Sequence, residues 1–524
     1  MLLPRLPTDR LHRKARHART ARHPWSSAPS SAAPDEAPQD APLAVVHTLA
    51  NARRLHAVDA AAARLGLHPG LTLADAQARV PQLQAVEADP AADGALLTAI
   101  ACWCERWTPF VALAPPHGIV LDITGCAHLF AGEKAMLAAM VARLAAQGFA
   151  VQGTVAGTAR AALALARWRP GLVAAPGTEG QAVAGLPVAA LELDPEAERS
   201  LAYLGLATIG DLSGKPRAAL AARFGSRIVS RLEEITGAAD APISPLNPLP
   251  VYVAERRFAE PMGDEETARI VLADLARELA AVLERHGEGG RRFAAAFFRS
   301  DGAVRRVEAG TAAPLRDAAR LAGLFRERLA ALADPLDPGF GYDVIRLSVT
   351  ACEPLAATQA AFGAAPEEAA LSELVDVLSA RLGPRRVMCL QPQDSHVPER
   401  AAASVPAQKG WAVAGLAAWP AAAAEGAPLP RPPALFAHPE PVETLAEVPD
   451  GPPLRFRWRR VLHEVVRAEG PERIAAEWWT GAQALTRDYF RVEDKEGRRF
   501  WLYRAGTYGR ETSEPRWFLH GLFP

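Results

Sequence analysis

The segment from Trp107 to Gly125 holds the side chains whose types and spacing come nearest to a reactive centre. His117 and Asp122 lie within it, and Asp9 follows a short apolar stretch that includes Leu2, Leu3 and Leu6. A histidine and two carboxylates could serve a transition metal, whereas Mg²⁺ demands oxygen ligands. We interpret His117 as a turn residue and Asp122 as a carboxylate that accepts hydrogen bonds from the turn at Thr124-Gly125.

The same segment resembles the palm strand of Y-family DNA polymerases, which reads roughly Ser-Ile-Asp-Glu-Ala-Phe-Leu-Asp-Leu-Thr-Gly. Alignment on Leu121-Asp122 places His117 and Gly118 on the two adjacent acids of that motif. In the family those acids help to hold two divalent ions during nucleotide transfer. The resemblance therefore implies a palm frame without its metal ligands, in which His117 and Gly118 are vestigial positions.

Two further parts of the family's active site are altered in the same comparison. The first palm strand of the family carries two acids, whereas Asp9 is the only acid here between Leu2 and Leu11 and lies too late in the strand. In the fingers segment, Ala60 and Ala63 occupy the positions of a tyrosine and an arginine that contact the incoming triphosphate. We therefore expect no catalytic residue, and a pocket without a carboxylate pair where the first strand meets the palm strand.

Composition limits the other classes of function. With 524 residues the chain predicts several domains, because single cores stop growing near about 250–300 residues. A net charge of −1 argues against a protein that coats nucleic acid nonspecifically. The five cysteines include no Cys-x-x-Cys pair and no histidine at zinc spacing, so we expect no structural metal. No apolar run reaches about 18 residues without a charge, which predicts a soluble, cytoplasmic protein.

The order of strand-like and helical patterns predicts an α+β multidomain chain. The expected domains are a palm and fingers at 1–9 and 43–190 around a disordered insertion at 10–42, a thumb-like helix-hairpin-helix at 191–245, a little finger at 250–352, a helical extension with a candidate clamp peptide at 353–400, a linker at 401–450, and a β-rich partner-binding module at 451–524.

Residues 250–352 carry the most regular pattern, two β-α-β units in succession. The helix predicted over Glu265–His286 has Leu272, Leu275 and Leu279 on one face, which indicates a core. The resulting β-α-β-β-α-β order resembles the little finger of Y-family polymerases. In the preceding region, Leu204-Gly-Leu-Ala-Thr-Ile-Gly-Asp-Leu212 resembles half of a thumb's helix-hairpin-helix.

Basic side chains in the thumb and little finger are the candidates for contact with DNA. Solvated surface charge is an equally good interpretation of those in the little finger, where acids are as common as bases. The candidates are Lys215, Arg223, Arg227, Arg291, Arg299 and Arg305.

Taken together, these features resemble the ImuB proteins, polymerase-related mutasome subunits of bacteria. The resemblance implies a catalytically inactive scaffold in DNA-damage-induced mutagenesis, with DNA, the sliding clamp, an error-prone C-family polymerase and a RecA-like ImuA protein as partners. Gln359 and Phe362 match the family's clamp-binding peptide incompletely, and Leu435-Phe436 is a second, equally incomplete match. Each match is also explained as an ordinary apolar anchor.

Two rival functions remain open. An active translesion polymerase would require Mg²⁺ and ligands from positions other than those aligned above. A DNA-binding protein without polymerase partners would keep the basic surfaces and lack a docking module. The scaffold interpretation requires no cofactor.

Overall fold

The computed structural model describes residues 1–22, 41–49, 51–239, 241–355, 366–410, 431–477, 479 and 485–524. The chain forms two compact units, one made of Met1–Ala309 and Pro314–Gln359, the other of Gly310–Ala313 and Ala360–Pro524. The predicted α+β architecture is confirmed, since both units combine sheets with helices. Within the described ranges, no helix is long and apolar enough to span a bilayer.

The first unit contains the palm, fingers, thumb and little finger regions. Its helices are α1 (Leu6–Arg22), α2 (Ala60–Arg64), α3 (Leu73–Arg79), α4 (Pro90–Cys104), α5 (Glu133–Ala146), α6 (Ala159–Trp168), α7 (Glu179–Val183), α8 (Pro195–Tyr203), α9 (Ile209–Ser213), α10 (Arg217–Phe224), α11 (Ser226–Thr236), α12 (Glu265–His286) and α13 (Ala318–Ala330). Its strands are β1 (Leu43–Leu49), β2 (Ala52–Val58), β3 (Gln84–Glu87), β4 (Val111–Ala114), β5 (Gly118–Leu121), β6 (Tyr252–Met262), β7 (Glu288–Arg299), β8 (Val304–Leu315) and β9 (Tyr342–Pro354).

The second unit adds a helical extension and a β-rich module, and it takes in the Gly310–Ala313 part of β8. Its own elements are α14 (Pro366–Leu382), β10 (Met388–Pro392), β11 (Ala402–Pro406), α15 (Ala407–Gly410), β12 (Ala434–Ala446), β13 (Pro453–Trp458), β14 (Val461–Ile474), β15 (Arg487–Asp494), β16 (Arg499–Ala505) and β17 (Arg516–Leu522).

Helix α1 corrects the expectation of disorder from residue 10 onward. The segment is helical through Arg22, and residues 23–40 lie outside the described part of the chain. Distant side chains hold the helix in place: Arg10 Nε lies 2.6 Å from Asp93 Oδ1, and His12 Nε2 lies 3.2 Å from Asp59 Oδ2. These contacts join positions far apart in the sequence, so local composition could not reveal them.

In the fingers region β1 pairs with both β2 and β3. The side chain of Asp59 accepts a hydrogen bond from the Ala62 N–H and caps α2, and that of Thr72 caps α3 in the same way. Leu55, Leu67 and Leu73 fill the space between this sheet and the two helices. The two helices follow one another after β2, a strand that the sequence did not predict.

The palm is built on a hairpin that packs against two helices. Strands β4 and β5 are antiparallel, with Ala114 opposite Gly118 across the turn. Trp103 of α4 is fully buried beneath them and packs edge-on against Trp107, with 4.9 Å between ring centroids. Met136 and Met140 of α5 close the same core.

The thumb region is a small helical cluster, α7 to α11, with its own apolar core. Thr208 and Asp211 form a reciprocal capping box at the start of α9, which fixes the helix after the Leu204-to-Thr208 turn. Gly225 separates α10 from α11 with a φ of 84°, a backbone conformation that favours glycine. Leu220, Ile228 and Leu232 face the shared core.

The little finger has the predicted β-α-β-β-α-β order, in a sheet whose strands run β6-β9-β7-β8. Leu272, Leu275 and Leu279 are buried, as their spacing on α12 predicted. Along β7 the side chains of successive residues point to opposite faces. Phe298 of this strand belongs to the same apolar cluster as Trp103, so one face of the sheet lies against the palm.

Polar contacts reinforce this packing between the palm and the little finger. The indole of Trp103 donates to the carbonyl of Arg299 at 3.1 Å, and Arg346 donates to the carbonyl of Glu105 at 2.8 Å. Arg106 is 3% exposed and lies 2.8 Å from the carboxylate of Asp343. The two regions therefore share both a core and buried ion pairs.

The predicted β-rich C-terminal module is present as a closed barrel of β12 to β17. It begins at Ala434, so the expected linker at 401–450 is wrong at both ends: β11 and α15 occupy its start, and β12 its last part. Residues 411–430 lie outside the described part of the chain. Two prolines lie within β12: Pro439, where its pairing with β17 shifts register between Leu435 and Glu440, and Pro441, which is paired with Phe518.

One buried charge pair supports the barrel. Asp488 is 1% exposed and accepts hydrogen bonds from Arg473 Nε at 2.7 Å and from Arg504 Nη2 at 2.6 Å. Burial raises the pKa of Asp488, but the bonds from the two arginines outweigh burial, and the pKa lies below its ordinary value. The stabilisation is therefore present above about pH 4 and is lost as the pH falls through the lowered pKa.

We expect Asp488→Asn to destabilise the barrel by about 3 kcal/mol at neutral pH, because it leaves a buried guanidinium without one of its counter-charges. Hydrogen–deuterium exchange of peptides from β15 and β16 measures this locally. The control is Asp450→Asn, which removes the more exposed partner of Arg504 and should cost less than about 1 kcal/mol. Equal exchange in the two variants would contradict the role of Asp488.

Candidate functional site

The hairpin turn at Pro115-Pro116-His117 lies beside the N-terminal segment, as a polymerase palm requires. The backbone N–H of Leu3 donates to the carbonyl of His117 at 2.8 Å, and that of Ile119 donates to the carbonyl of Met1 at 2.9 Å. Leu2 also pairs with Gln152 on its other side. Leu2 therefore lies alongside the hairpin through isolated bridges, whereas Asp9, which was expected in a first palm strand, belongs to α1.

Gly118 is tightly enclosed in this hairpin. A Cβ added to it would lie 2.6 Å from the carbonyl oxygen of Ala114 and 3.4 Å from a methyl carbon of Leu163. The first distance is shorter than real Cβ contacts, and the atom that it meets is backbone. The hairpin as folded therefore has no room for the acidic side chain that the polymerase motif carries at this position.

The two carboxylates that the sequence pattern brought into question, Asp9 and Asp122, are used for structure. Asp9 is buried on α1, where its Oδ2 accepts the N–H of Ala150 at 2.8 Å. Burial raises the pKa of Asp9, and the Ala150 bond and neighbouring cations offset part of that rise. Asp122 Oδ1 accepts the N–H of Thr124 at 2.9 Å, which confirms the turn-stabilising interpretation of this residue.

Mg²⁺ does not fit the residues present at the hairpin. His117 and Gly118 offer no carboxylate oxygen, and the described part of the chain contains no group of three His, Cys, Asp or Glu side chains placed to hold a metal ion. A two-metal reaction needs oxygen ligands on both strands. No step of nucleotide transfer can be assigned to these side chains.

Ala60 and Ala63, which align with the family's triphosphate-contacting residues, carry no polar side chain. Ala60 is exposed at the first turn of α2, and Ala63 is partly buried against the fingers core. Methyl groups cannot donate hydrogen bonds to a phosphate. That the two alanines cannot hydrogen-bond to a triphosphate follows from their residue type. The structure shows only where they lie.

A cavity of about 310 Å³ opens beside His117, between the hairpin, α6 and α11. Its polar wall contains three arginines that the sequence reading did not select, namely Arg160, Arg167 and Arg231. Among the described residues of the lining, the one carboxylate is Glu192. Arginines therefore outnumber carboxylates in this lining, and its charge is predominantly positive.

The pKa of the His117 imidazole is affected by its burial and by the charges around the cavity. Burial lowers its pKa below the ordinary value, and the nearby guanidinium of Arg167 lowers it further, against a smaller opposite effect of Glu192. His117 is therefore neutral at pH 7, where an uncharged ring avoids repulsion from the arginine.

The thumb candidates for DNA contact lie on the surface. Lys215 follows α9, Arg223 ends α10 and Arg227 begins α11, and all three are exposed. Arg227 lies 3.8 Å from Asp194, but both side chains are mostly exposed and such a pair holds the arginine weakly. These cations are available to a polyanion, and their contact with DNA stays a prediction.

The little-finger candidates are more constrained. Arg299 is bound by Asp301 at 2.6 Å and by Asp337 at 3.1 Å, with 18% of its side chain exposed. Arg291 lies 3.4 Å from Glu353, and Arg305 donates to the carbonyl of Asp334 at 3.0 Å. The paired carboxylates reduce the positive field of these residues, so their role in DNA binding also stays a prediction.

Only one of the two candidate clamp-binding peptides lies within the described residues. Gln359 and Phe362 lie outside the described residues. Leu435 and Phe436 belong to β12, where Phe436 packs against the barrel core and Leu435 is 40% exposed. Phe436 is thus an apolar anchor of the barrel.

Solved structures of Y-family polymerases are similar to the chain at low sequence identity. The crystal structure of DinB from Sulfolobus solfataricus has 15% identity and a TM-score of 0.35, covering 64% of this chain and 94% of that one. The insertion ternary complex of Dbh DNA polymerase has 14% identity and a TM-score of 0.35, with the same coverage.

Sequence similarity to curated proteins is much stronger. Residues 251–362 match the impB/mucB/samB family C-terminal domain, a range that begins with the little finger. Protein ImuB of Caulobacter vibrioides is 44% identical over 472 residues in both strain NA1000 / CB15N and strain ATCC 19089 / CIP 103742 / CB 15, covering 88% of this chain and 100% of each relative. Since the similarity extends over the whole relative, the chain belongs to the ImuB family.

Proposed function

We propose that this ImuB-family chain is a catalytically inactive, polymerase-shaped scaffold in DNA-damage-induced mutagenesis and translesion synthesis. It links DNA and the sliding clamp to an error-prone C-family polymerase and a RecA-like ImuA partner. The observation that carries the proposal is the palm hairpin, in which His117 and the enclosed Gly118 replace an acidic pair. Family membership supports the mutagenesis role, and the separate barrel offers a surface for a partner.

The palm hairpin supports inactivity because it is present, while positions 117 and 118 carry no metal-binding carboxylates. Asp9 and Asp122 are each committed to a backbone N–H. A carboxylate that releases such a bond to hold a metal would leave the backbone group without its partner, at a cost of about 1–3 kcal/mol. These two acids therefore do not substitute for the missing pair.

Purified protein should give no primer extension above background with Mg²⁺ or Mn²⁺. The matched test is the double variant His117→Asp/Gly118→Glu, which restores the two acids of the motif. We expect it to remain inactive, because the new Cβ at 118 meets the carbonyl of Ala114 and the first strand still carries no acid pair. Incorporation by the unaltered chain that is lost in Asp9→Asn or Asp122→Asn would overturn the scaffold proposal in favour of an active polymerase.

DNA binding should depend on the exposed thumb cations more than on Arg299. We expect Lys215→Gln/Arg223→Gln to weaken binding of a primer-template duplex and to reduce the slope of log K against log salt by about 0.9 for each lost phosphate contact. Fluorescence anisotropy over a salt series measures both effects. Arg277→Gln/Arg285→Gln, with both residues exposed on α12, is the control of equal charge change.

A larger effect of Arg299→Gln than of the thumb variant would contradict this ranking. That residue is already neutralised by Asp301 and Asp337. Its substitution removes an internal pair rather than a free phosphate contact.

The barrel provides the surface for the proposed polymerase partner. Around the β13–β14 hairpin, Leu454, Val461 and Leu462 are about half exposed, at 48%, 49% and 47%. These three exposed apolar side chains on one hairpin are the candidates for contact with a partner protein. The hairpin is held to the rest of the barrel by backbone pairing of β13 with β12 and of β14 with β15, so these side chains can be changed without removing a strand.

We expect Val461→Ser/Leu462→Ser to reduce capture of a purified C-family polymerase at least several-fold, with unchanged melting of the chain. Leu374→Ser is the matched control, since Leu374 is 51% exposed on α14 outside the barrel. Undiminished capture by the hairpin variant would assign partner binding to another surface. Absence of capture by the unaltered chain would favour a DNA-binding protein without polymerase partners.

A further inference from the structure

The cavity beside His117 has an unusual balance of charge for the location of a polymerase active site. Arg160 and Arg167 come from α6, and Arg231 comes from α11. Two different elements thus direct guanidinium groups into one space of about 310 Å³. Leu2 and Pro116 form part of its apolar wall.

The three arginines differ in how their charges are compensated. Arg160 Nε is 2.6 Å from Glu234 Oε2, and its Nη1 is 3.5 Å from Glu192 Oε2. Among the described residues, Arg167 and Arg231 have no carboxylate within ion-pair distance. Two positive charges at this cavity are therefore left without a counter-charge from the described protein.

Arg231 provides a second, independent indication of a ligand. Its Nη1 is buried and has no hydrogen-bond partner among the described atoms. Leaving a buried donor of a charged group unpaired costs at least about 1–3 kcal/mol, so such atoms are rare unless a ligand or water satisfies them. The atom has almost no accessible surface, although its side chain lines the cavity, so a bound anion would accept from it only after the side chain rotates.

We propose that this cavity binds a phosphate group directly through Arg167 and Arg231, without a metal ion. Guanidinium groups present planar pairs of N–H donors that match phosphate oxygens, and they remain charged at any physiological pH. The phosphate can belong to a free nucleoside triphosphate or to the DNA backbone, since both offer the same oxyanion. The inference does not depend on the proposed scaffold function, because it rests on the arginines and not on the missing acids.

The composition of a second, larger cavity shows that arginines alone do not make such a site. That cavity, of about 500 Å³, is lined by Arg13 and Arg143 among others. Arg143 lies 3.1 Å from Asp343, and Arg13 donates to the carbonyls of Gln147 and Asp301. These arginines are bound within the protein, whereas Arg167 and Arg231 beside His117 have no carboxylate partner among the described residues.

Isothermal titration of the full chain with pyrophosphate in EDTA tests the proposal. We expect saturable binding that is weakened about tenfold or more in Arg167→Gln/Arg231→Gln, through the loss of charge-assisted hydrogen bonds. Arg167→Glu is the second variant, because the residue is exposed and its change leaves the fold intact while reversing a charge at the cavity. Arg277→Gln should bind as the unaltered chain does.

Binding that requires Mg²⁺, no saturable binding in EDTA, or an equal loss in Arg277→Gln would overturn the proposal. Competition against bound pyrophosphate identifies which kind of molecule supplies the phosphate. Displacement by a deoxynucleoside triphosphate alone assigns the site to nucleotides, and displacement by a short single-stranded oligonucleotide assigns it to the DNA backbone. Primer extension is not a readout here, so failure of this site and failure of the scaffold proposal are separate results.

Discussion

Backbone pairing between the N-terminal segment and the β4–β5 hairpin holds the palm together. The bonds from Leu3 to His117 and from Ile119 to Met1 join main-chain atoms only, and they place the apolar side chains of the segment in the core around Trp103. Main-chain bonds do not depend on which side chain follows the Cα. The palm can therefore keep its form after the acids are gone, and every neighbouring region is positioned by that form.

Charge is distributed differently in the regions that surround the palm. At the junction with the little finger, buried arginines such as Arg106 are compensated by carboxylates and serve packing. In the thumb, Lys215 and Arg223 lie on the surface, and beside His117 two arginines lack a counter-charge among the described residues. A polymerase site attracts phosphate through metal ions held by acids, whereas here the protein supplies positive charge itself.

The sequence predicted those features that are encoded locally. The leucines of α12 repeat with helical spacing, and Asp122 has its partner two residues away, so both were foreseen correctly. Helix α1 was missed because contacts such as Arg10 with Asp93 hold it, and these appear only in the folded chain. Arg231 was missed for the same reason, since a basic residue on a thumb helix gives no sign that it faces the palm. Strand β12 was mistaken for a linker because its prolines hide the alternation.

The shared core of palm and little finger has a mechanical consequence. Phe298 and Val344 contribute to the cluster around Trp103, and Arg346 donates to the carbonyl of Glu105. Movement of the little finger away from the palm would expose aromatic surface and would separate the buried Arg106 from the carboxylate of Asp343. The shared core and the buried ion pair therefore favour movement of the little finger and the palm together rather than about a free hinge.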